Sequence, residues 1–117
     1  MISEVLREIG ERLTDFRGVL LIGSDGLVVD KFGVADPETE SIVIELLAAV
    51  RKLESNLGAK QQKPLRTIAI SGDTSNYLLY SVVDSYYLFL AFGNRTHQGQ
   101  CRYELKKASM DLAKELS

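Results

Sequence analysis

Ile2, Val5, Leu6, Ile9 and Leu13 recur at helical spacing, with Arg7, Glu8, Glu11 and Arg12 on the opposite side. This spacing predicts an amphipathic helix with Ser3 as its N-cap. Gly10 weakens the helix without forbidding it. Gly18 to Gly23 is apolar without alternation, as in a strand covered on both faces. The run from Leu27 to Phe32 alternates only in part and is interrupted by Asp30, which places it nearer a sheet edge. Ser24-Asp25-Gly26 lies between them. Asp-Gly between two aliphatic runs is a strong hairpin signal, because Gly accepts the positive φ of a tight turn.

A long helix follows. Asp36 reads as its N-cap, Pro37 suits the first helical position, and Glu38 and Glu40 favour the positive end of the helix dipole. It is expected to run to about Leu57 and stop at Gly58. At helical spacing Ile42, Val43, Leu46, Leu47, Ala49, Val50, Leu53 and Leu57 cover an arc of roughly 160°, well beyond the usual stripe of ~100°. A helix lying on one sheet needs less, so the extra width implies a second partner. Ile44 and Ala48 fall outside even this arc, beside Arg51 and Ser55. They are the best candidates for docking another protein, since an isolated apolar pair on a well-patterned helix is available for contact.

After the polar connector 59–64, residues 66–72 read as a strand. Ile68 and Ile70 lie on one face, and the small residues Thr67, Ala69 and Ser71 on the other. Residues 76–83 and 86–92 are two further strands separated by the short Asp84-Ser85 turn, making an antiparallel meander. The last run, Tyr86 to Phe92, is apolar on both faces and so central. Cys101, Leu105, Ala108, Leu112 and Leu116 then form a narrow stripe on a final helix, with Arg102, Glu104, Lys106, Lys107 and Asp111 outside it. The predicted class is α+β. The order is α-β-β-α-β-β-β-α with a five-stranded antiparallel sheet. Strands buried on both faces need helices above and below, so the two terminal helices share one face and the long middle helix covers the other.

Composition narrows the function. The 117 residues fit one domain, 1–117, and carry 14 basic and 16 acidic side chains. A net charge of -2 argues against a nucleic-acid partner, which needs a basic surplus. The lone Cys makes no internal disulfide, Met1-Ile2-Ser3-Glu4 lacks the regions of a signal peptide, and no apolar run reaches membrane-spanning length. The expectation is a cytoplasmic protein with no membrane insertion.

The element order, the Gly18-Val-Leu-Leu-Ile-Gly-Ser-Asp-Gly26 hairpin and the Gly99-Gln-Cys-Arg102 start of the last helix resemble the roadblock / dynein light-chain family over nearly the whole chain. The likeness is greatest to single-domain bacterial and archaeal members, among them a gliding-motility activator of a Ras-like GTPase. The resemblance implies a homodimer. The middle helices, residues 38–57, pack antiparallel, and the third strands, residues 66–72, join edge to edge into one continuous sheet. On this sequence the interface residues are Ile42, Leu46, Ala49, Val50, Leu53, Thr67, Ala69 and Ser71. An edge strand left alone exposes unpaired backbone groups, which symmetric pairing would use. The resemblance also implies a small Ras-like GTPase as partner, for which Ile44, Ala48, Arg51 and Ser55, singled out above by their place on the helix, are the candidate docking residues.

Chemistry of its own is not expected. His97 and Cys101 are four apart, but a single His and a single Cys complete no metal site, and Cys101 sits on an apolar stripe. Gly23-Ser24-Asp25-Gly26 lacks the Gly-Lys-Ser/Thr ending of a phosphate loop and leads into a strand. Ser71-Gly72-Asp73-Thr74 reads as a plain turn. Asp25, Glu38 and Glu40 are accounted for by turn and cap roles. No enzyme activity and no cofactor are therefore expected. The readings are a GTPase regulator or adaptor, a scaffold subunit of a signalling or motility complex without effect on GTP hydrolysis, and a sensor whose wide middle helix lines a small-molecule cavity.

Overall fold

A computed structural model describes the backbone of every residue except 35–36, 62–65, 84 and 117, and the side chains of the same residues less 57–61. Its elements are α1 (Ile2–Arg12), β1 (Phe16–Gly23), β2 (Val28–Phe32), α2 (Pro37–Gln61), β3 (Thr67–Ser71), β4 (Asn76–Ser81), β5 (Tyr86–Phe92) and α3 (Gln98–Leu116). All strand pairs are antiparallel, in the order β2-β1-β5-β4-β3. The expected order of elements and the expected edges both hold.

Alternation along the central strands sorts the core into two layers. Val19, Leu21, Leu78, Leu88 and Leu90 face α1 and α3, where they meet Leu6, Ile9, Cys101, Leu105 and Leu112. Leu20, Ile22, Leu79 and Phe89 face the other way, against Val43, Leu47 and Val50 of α2. Because successive side chains of a strand point to opposite faces, a run apolar at every position builds both layers at once. This is why β1 and β5 carry such runs.

The first hairpin closes over three residues. The Gly26 N–H donates to the Gly23 carbonyl, and the Gly23 N–H donates to the Leu27 carbonyl, both at 2.9 Å. Gly26 has φ +89° and supplies the left-handed residue. Asp25 Oδ1 accepts the Leu27 N–H at 3.0 Å. The β1–β2 register then shifts between Leu21 and Ile22, leaving Val29 as the extra residue of a bulge on the edge strand.

Three expectations need correction. α1 starts at Ile2 with Met1 at the N-cap position and no side-chain cap, so Ser3 lies inside the first turn. α2 continues past Gly58 to Gln61; one helical Gly costs only about 1 kcal/mol, which does not end a helix. Glu104 is buried, not on the outer face, with Oε1 3.8 Å from the Arg12 guanidinium of α1. The expected N-cap Asp36, and Asp84 of the expected turn, lie outside the described residues.

Candidate functional site

α2 divides into three stripes. Val43, Leu47 and Val50 are buried on the sheet. Glu40 Oε1 receives the Lys31 ammonium of β2 at 3.0 Å, whereas Val50 shares a small gap with Ile68 and Leu79 of β3 and β4. The helix therefore turns one flank towards each edge of the sheet. At 100° per residue the flank beyond Val50 carries Ile42, Leu46, Ala49 and Leu53 and opens towards β3. Ile44, Ala48, Arg51 and Ser55 fall on the opposite flank, towards β2.

On the β3 side, Ile42 and Leu46 are half-buried at the margin of the core, Ala49 is exposed, and Leu53 is 45% exposed. Val50 differs: at 1% exposure it is closed in by its own sheet and offers a second subunit no surface. The side chain of Leu57 lies outside the described residues. Thr67, Ala69 and Ser71 are in register with Tyr80, Leu78 and Asn76, and so face the side of α1 and α3. It is Ile68 and Ile70 that share the α2 side, and Ile70 is 40% exposed. Leu46, Leu53 and Ile70 thus border one apolar margin that combines a helix flank with a sheet edge. The pattern of the strand could have found Ile70, since it lies on the same face as Ile68.

On the β2 side, Ile44 is 52% exposed, and Ala48, Arg51 and Ser55 are exposed with it. Val28 pairs with Ile22, so it faces α2 from the edge strand, and it too is exposed. Leu27 and Val29 extend the exposed apolar surface into the hairpin. These three were missed, because their run reads as an ordinary strand.

The remaining chemical candidates come apart. His97 is exposed, whereas Cys101 is fully buried and burial pushes its thiol up to about 11. The two do not form a pair. Asp25 is engaged by the Leu27 N–H and Asp30 by the Lys31 N–H. The Gly72 N–H closes its own turn on the Ser75 carbonyl at 2.8 Å. Tyr87 Oη donates to Glu54 Oε1 at 3.4 Å, and burial with the nearby carboxylate raises its ionisation above the ordinary range. Among the described residues no three His, Cys, Asp or Glu side chains are placed to hold a metal ion, and no helix is long and apolar enough to cross a membrane. The gap under Val50 is about 10 Å³, scarcely one water, whereas Glu54 of α2 borders an open cleft of about 590 Å³ with Arg66, Ser81, Tyr87 and Met110.

Comparison with solved structures decides the fold. The roadblock/LC7 domain from Streptomyces avermitilis superposes with a TM-score of 0.82 over 97% of this chain and 95% of its own, at 16% identity. The chain has the roadblock fold. Myxococcus xanthus MglB shares it with a TM-score of 0.82 and 22% identity, covering 98% of this chain and 94% of that one. The gliding protein MglB from Thermus thermophilus gives 0.85 and 19%, covering 97% and 86%. No family model matches the sequence, and no curated protein does. At these identities the roadblock likeness is one of fold, carried by element order and packing.

Proposed function

We propose that the chain works as a two-fold dimer that regulates or scaffolds a small Ras-like GTPase. The observation that carries the reading is the apolar margin of Leu46, Leu53 and Ile70 beside the free edge of β3. In a soluble subunit such a margin exposes apolar surface and unpaired strand groups together, the two features a second copy covers at once. Antiparallel packing of two α2 helices across a β3–β3 seam would bury both. It would also set the two Ile44 flanks on one broad platform facing away from α1 and α3. The fold neighbours MglB, one of them named a gliding protein, agree with the expected role among GTPase regulators.

The platform's effect on a GTPase would be conformational, since Arg51, the cation among the four docking residues, is held close to the surface of a regular helix. A partner shifts the switch-loop equilibrium only by binding one state better than the other. Pull-down of the small GTPases of the same genome, loaded with GDP or a GTP analogue, tests the reading. Ile44→Asp is expected to abolish capture while leaving the dimer mass unchanged. Capture undiminished by Ile44→Asp and by Ala48→Arg removes this flank from the site. Capture without any change in GTP turnover assigns the scaffold role.

A further inference from the structure

α1 and α3 lie side by side, in opposite directions, on one face of the sheet. Both ends of the pair are tied. The Met1 ammonium is 3.1 Å from Glu115 Oε1, the Arg12 guanidinium is 3.8 Å from Glu104 Oε1, and Gln100 Nε2 donates to the Arg12 carbonyl at 3.2 Å. Between the ties Glu8, Lys107 and Asp111 border one groove. These contacts set the relative height of the helices, since each residue rises about 1.5 Å. Glu4 stands about level with Leu112, Glu8 with Ala108 and Glu11 with Leu105.

The outer surface of this helix pair is sorted by charge. On α1 the side turned farthest from the buried Leu6 and Ile9 carries Glu4, Glu8 and Glu11, all exposed. On α3 the side turned farthest from Cys101, Leu105, Ala108 and Leu112 carries Lys106, Lys107 and Lys114, also exposed. Among the described residues none of these six side chains is in an ion pair. Tyr103 at 64% and Met110 at 63% exposure stand among the lysines. By helical spacing Arg7 leans to the flank of Gly10, which faces Phe32, and Asp111 leans into the groove, so neither breaks the rows. An acidic row and a basic row therefore run side by side, about 10 Å apart.

We infer that this face docks on the same face of a second copy of the chain, about a two-fold axis parallel to the two helices. Charge selects both the occupant and the axis. An anionic bilayer, or a protein surface of one sign, meets one favourable row and one unfavourable row. A surface with the two rows exchanged meets two favourable ones, and this face turned over about that axis is such a surface. An axis across the helices sets α1 on α1 and acid on acid. The parallel axis keeps every residue at its height and exchanges the places of α1 and α3. Glu4 then meets Lys114 of the second copy, Glu8 meets Lys107 and Glu11 meets Lys106, each within about 3 Å of level. Symmetry makes every pair twice. The second copy's α1 also covers Met110, whose height falls between Glu4 and Glu8. The overlap is limited to the 11 residues of α1, about 16 Å of helix, which is small for a permanent interface. The pair therefore forms at low salt and is screened apart at high salt. α2 and the edge of β3 take no part, so the inference does not rest on the dimer proposed above.

Sedimentation velocity over a range of concentrations tests it, on the wild type and on Leu53→Asp, which removes the seam on α2. In about 0.3 M salt the rows are screened, so association there reads α2 and β3 alone. In about 0.01 M salt both chains are expected to associate further, with an apparent Kd for the added step at least tenfold lower than in 0.3 M salt. Lys106→Glu with Lys114→Glu turns the basic row acidic, and Glu4→Lys with Glu11→Lys turns the acidic row basic. Either double variant should lose the low-salt step. The chain with all four reversals has the net charge of its parent and exchanged rows, so it should regain the step. All four side chains are exposed, so melts of the variants in 0.3 M salt should match the parent. Absence of the low-salt step, its restriction to the chain with an intact α2 seam, its persistence in either double variant, or its loss in the fourfold reversal overturns the inference.

Discussion

Leu53→Ala is the sharpest probe of the proposed dimer. Leu53 is 45% exposed and stands outside the buried cluster beneath α2. Full burial of a Leu side chain is worth about 2–3 kcal/mol, so covering the remaining surface is worth about 1 kcal/mol. A two-fold axis counts the change on both subunits, giving about 2 kcal/mol for the dimer, or about a thirtyfold rise in Kd. The subunit itself should lose little, because Ala keeps helix propensity and opens no cavity in the core. Sedimentation equilibrium over a wide concentration range reads the Kd, and far-UV circular dichroism reads the subunit. A carboxylate at this position, in Leu53→Asp, must be desolvated against the partner and should give single subunits throughout. The reasoning fails if wild type and Leu53→Ala show the same mass distribution, or if the wild type stays a single subunit at the highest concentration reached.

Two further perturbations test the core. Gly10→Ala gains about 1 kcal/mol of helix propensity, yet its Cβ would lie 2.7 Å from the Phe32 ring and 2.8 Å from the Phe16 ring. Those rings stack at 5.9 Å, so neither moves alone, and overpacking of about 1–3 kcal/mol should win; a raised melting temperature refutes this. Cys101 should resist thiol reagents until the chain unfolds. Its thiol is raised from 9.0 to about 11 by burial, so the unfolded chain loses this proton first, and stability should fall as pH rises from 9.0 towards 11. Denaturant midpoints of the wild type should decline more steeply over that range than those of Cys101→Ala; parallel curves refute the assignment.

The fold was legible because its local signals agreed with one another. β1 from Gly18 to Gly23 and β5 throughout advertise their central place by unbroken apolar runs, and the Asp25-Gly26 pair marks the hairpin that the structure closes with a left-handed Gly26. What escaped the sequence depends on contacts between distant elements. Glu104 belongs to the polar set of α3 by spacing, and only the approach of Arg12 from α1 makes its burial tolerable. Val50 sits inside a continuous apolar arc, and spacing alone does not tell where the sheet's share ends and the free flank begins. Tyr103 and Met110 stand on a helix whose apolar stripe was already complete, so they read as part of a solvated face.

The two edges of the sheet show why one is a better seam than the other. β2 is guarded from within. Its Lys31 N–H is taken by Asp30 Oδ1 at 2.8 Å, the Lys31 side chain is drawn to Glu40, and the bulge at Val29 breaks the regular spacing of backbone groups. These are the devices that blunt an edge against a foreign strand. β3 pairs with β4 in unbroken register from Thr67 to Ser71, so its outer side keeps a regular ladder, and its central residue is the small Ala69. The apolar margin of α2 opens on that same side. A charged, bulged edge on one hand and a regular, small-residue edge beside an exposed helix flank on the other favour β3 as the seam of the proposed dimer. In the proposed dimer that place would put the Ile44 flanks on one face and α1 and α3 on the other.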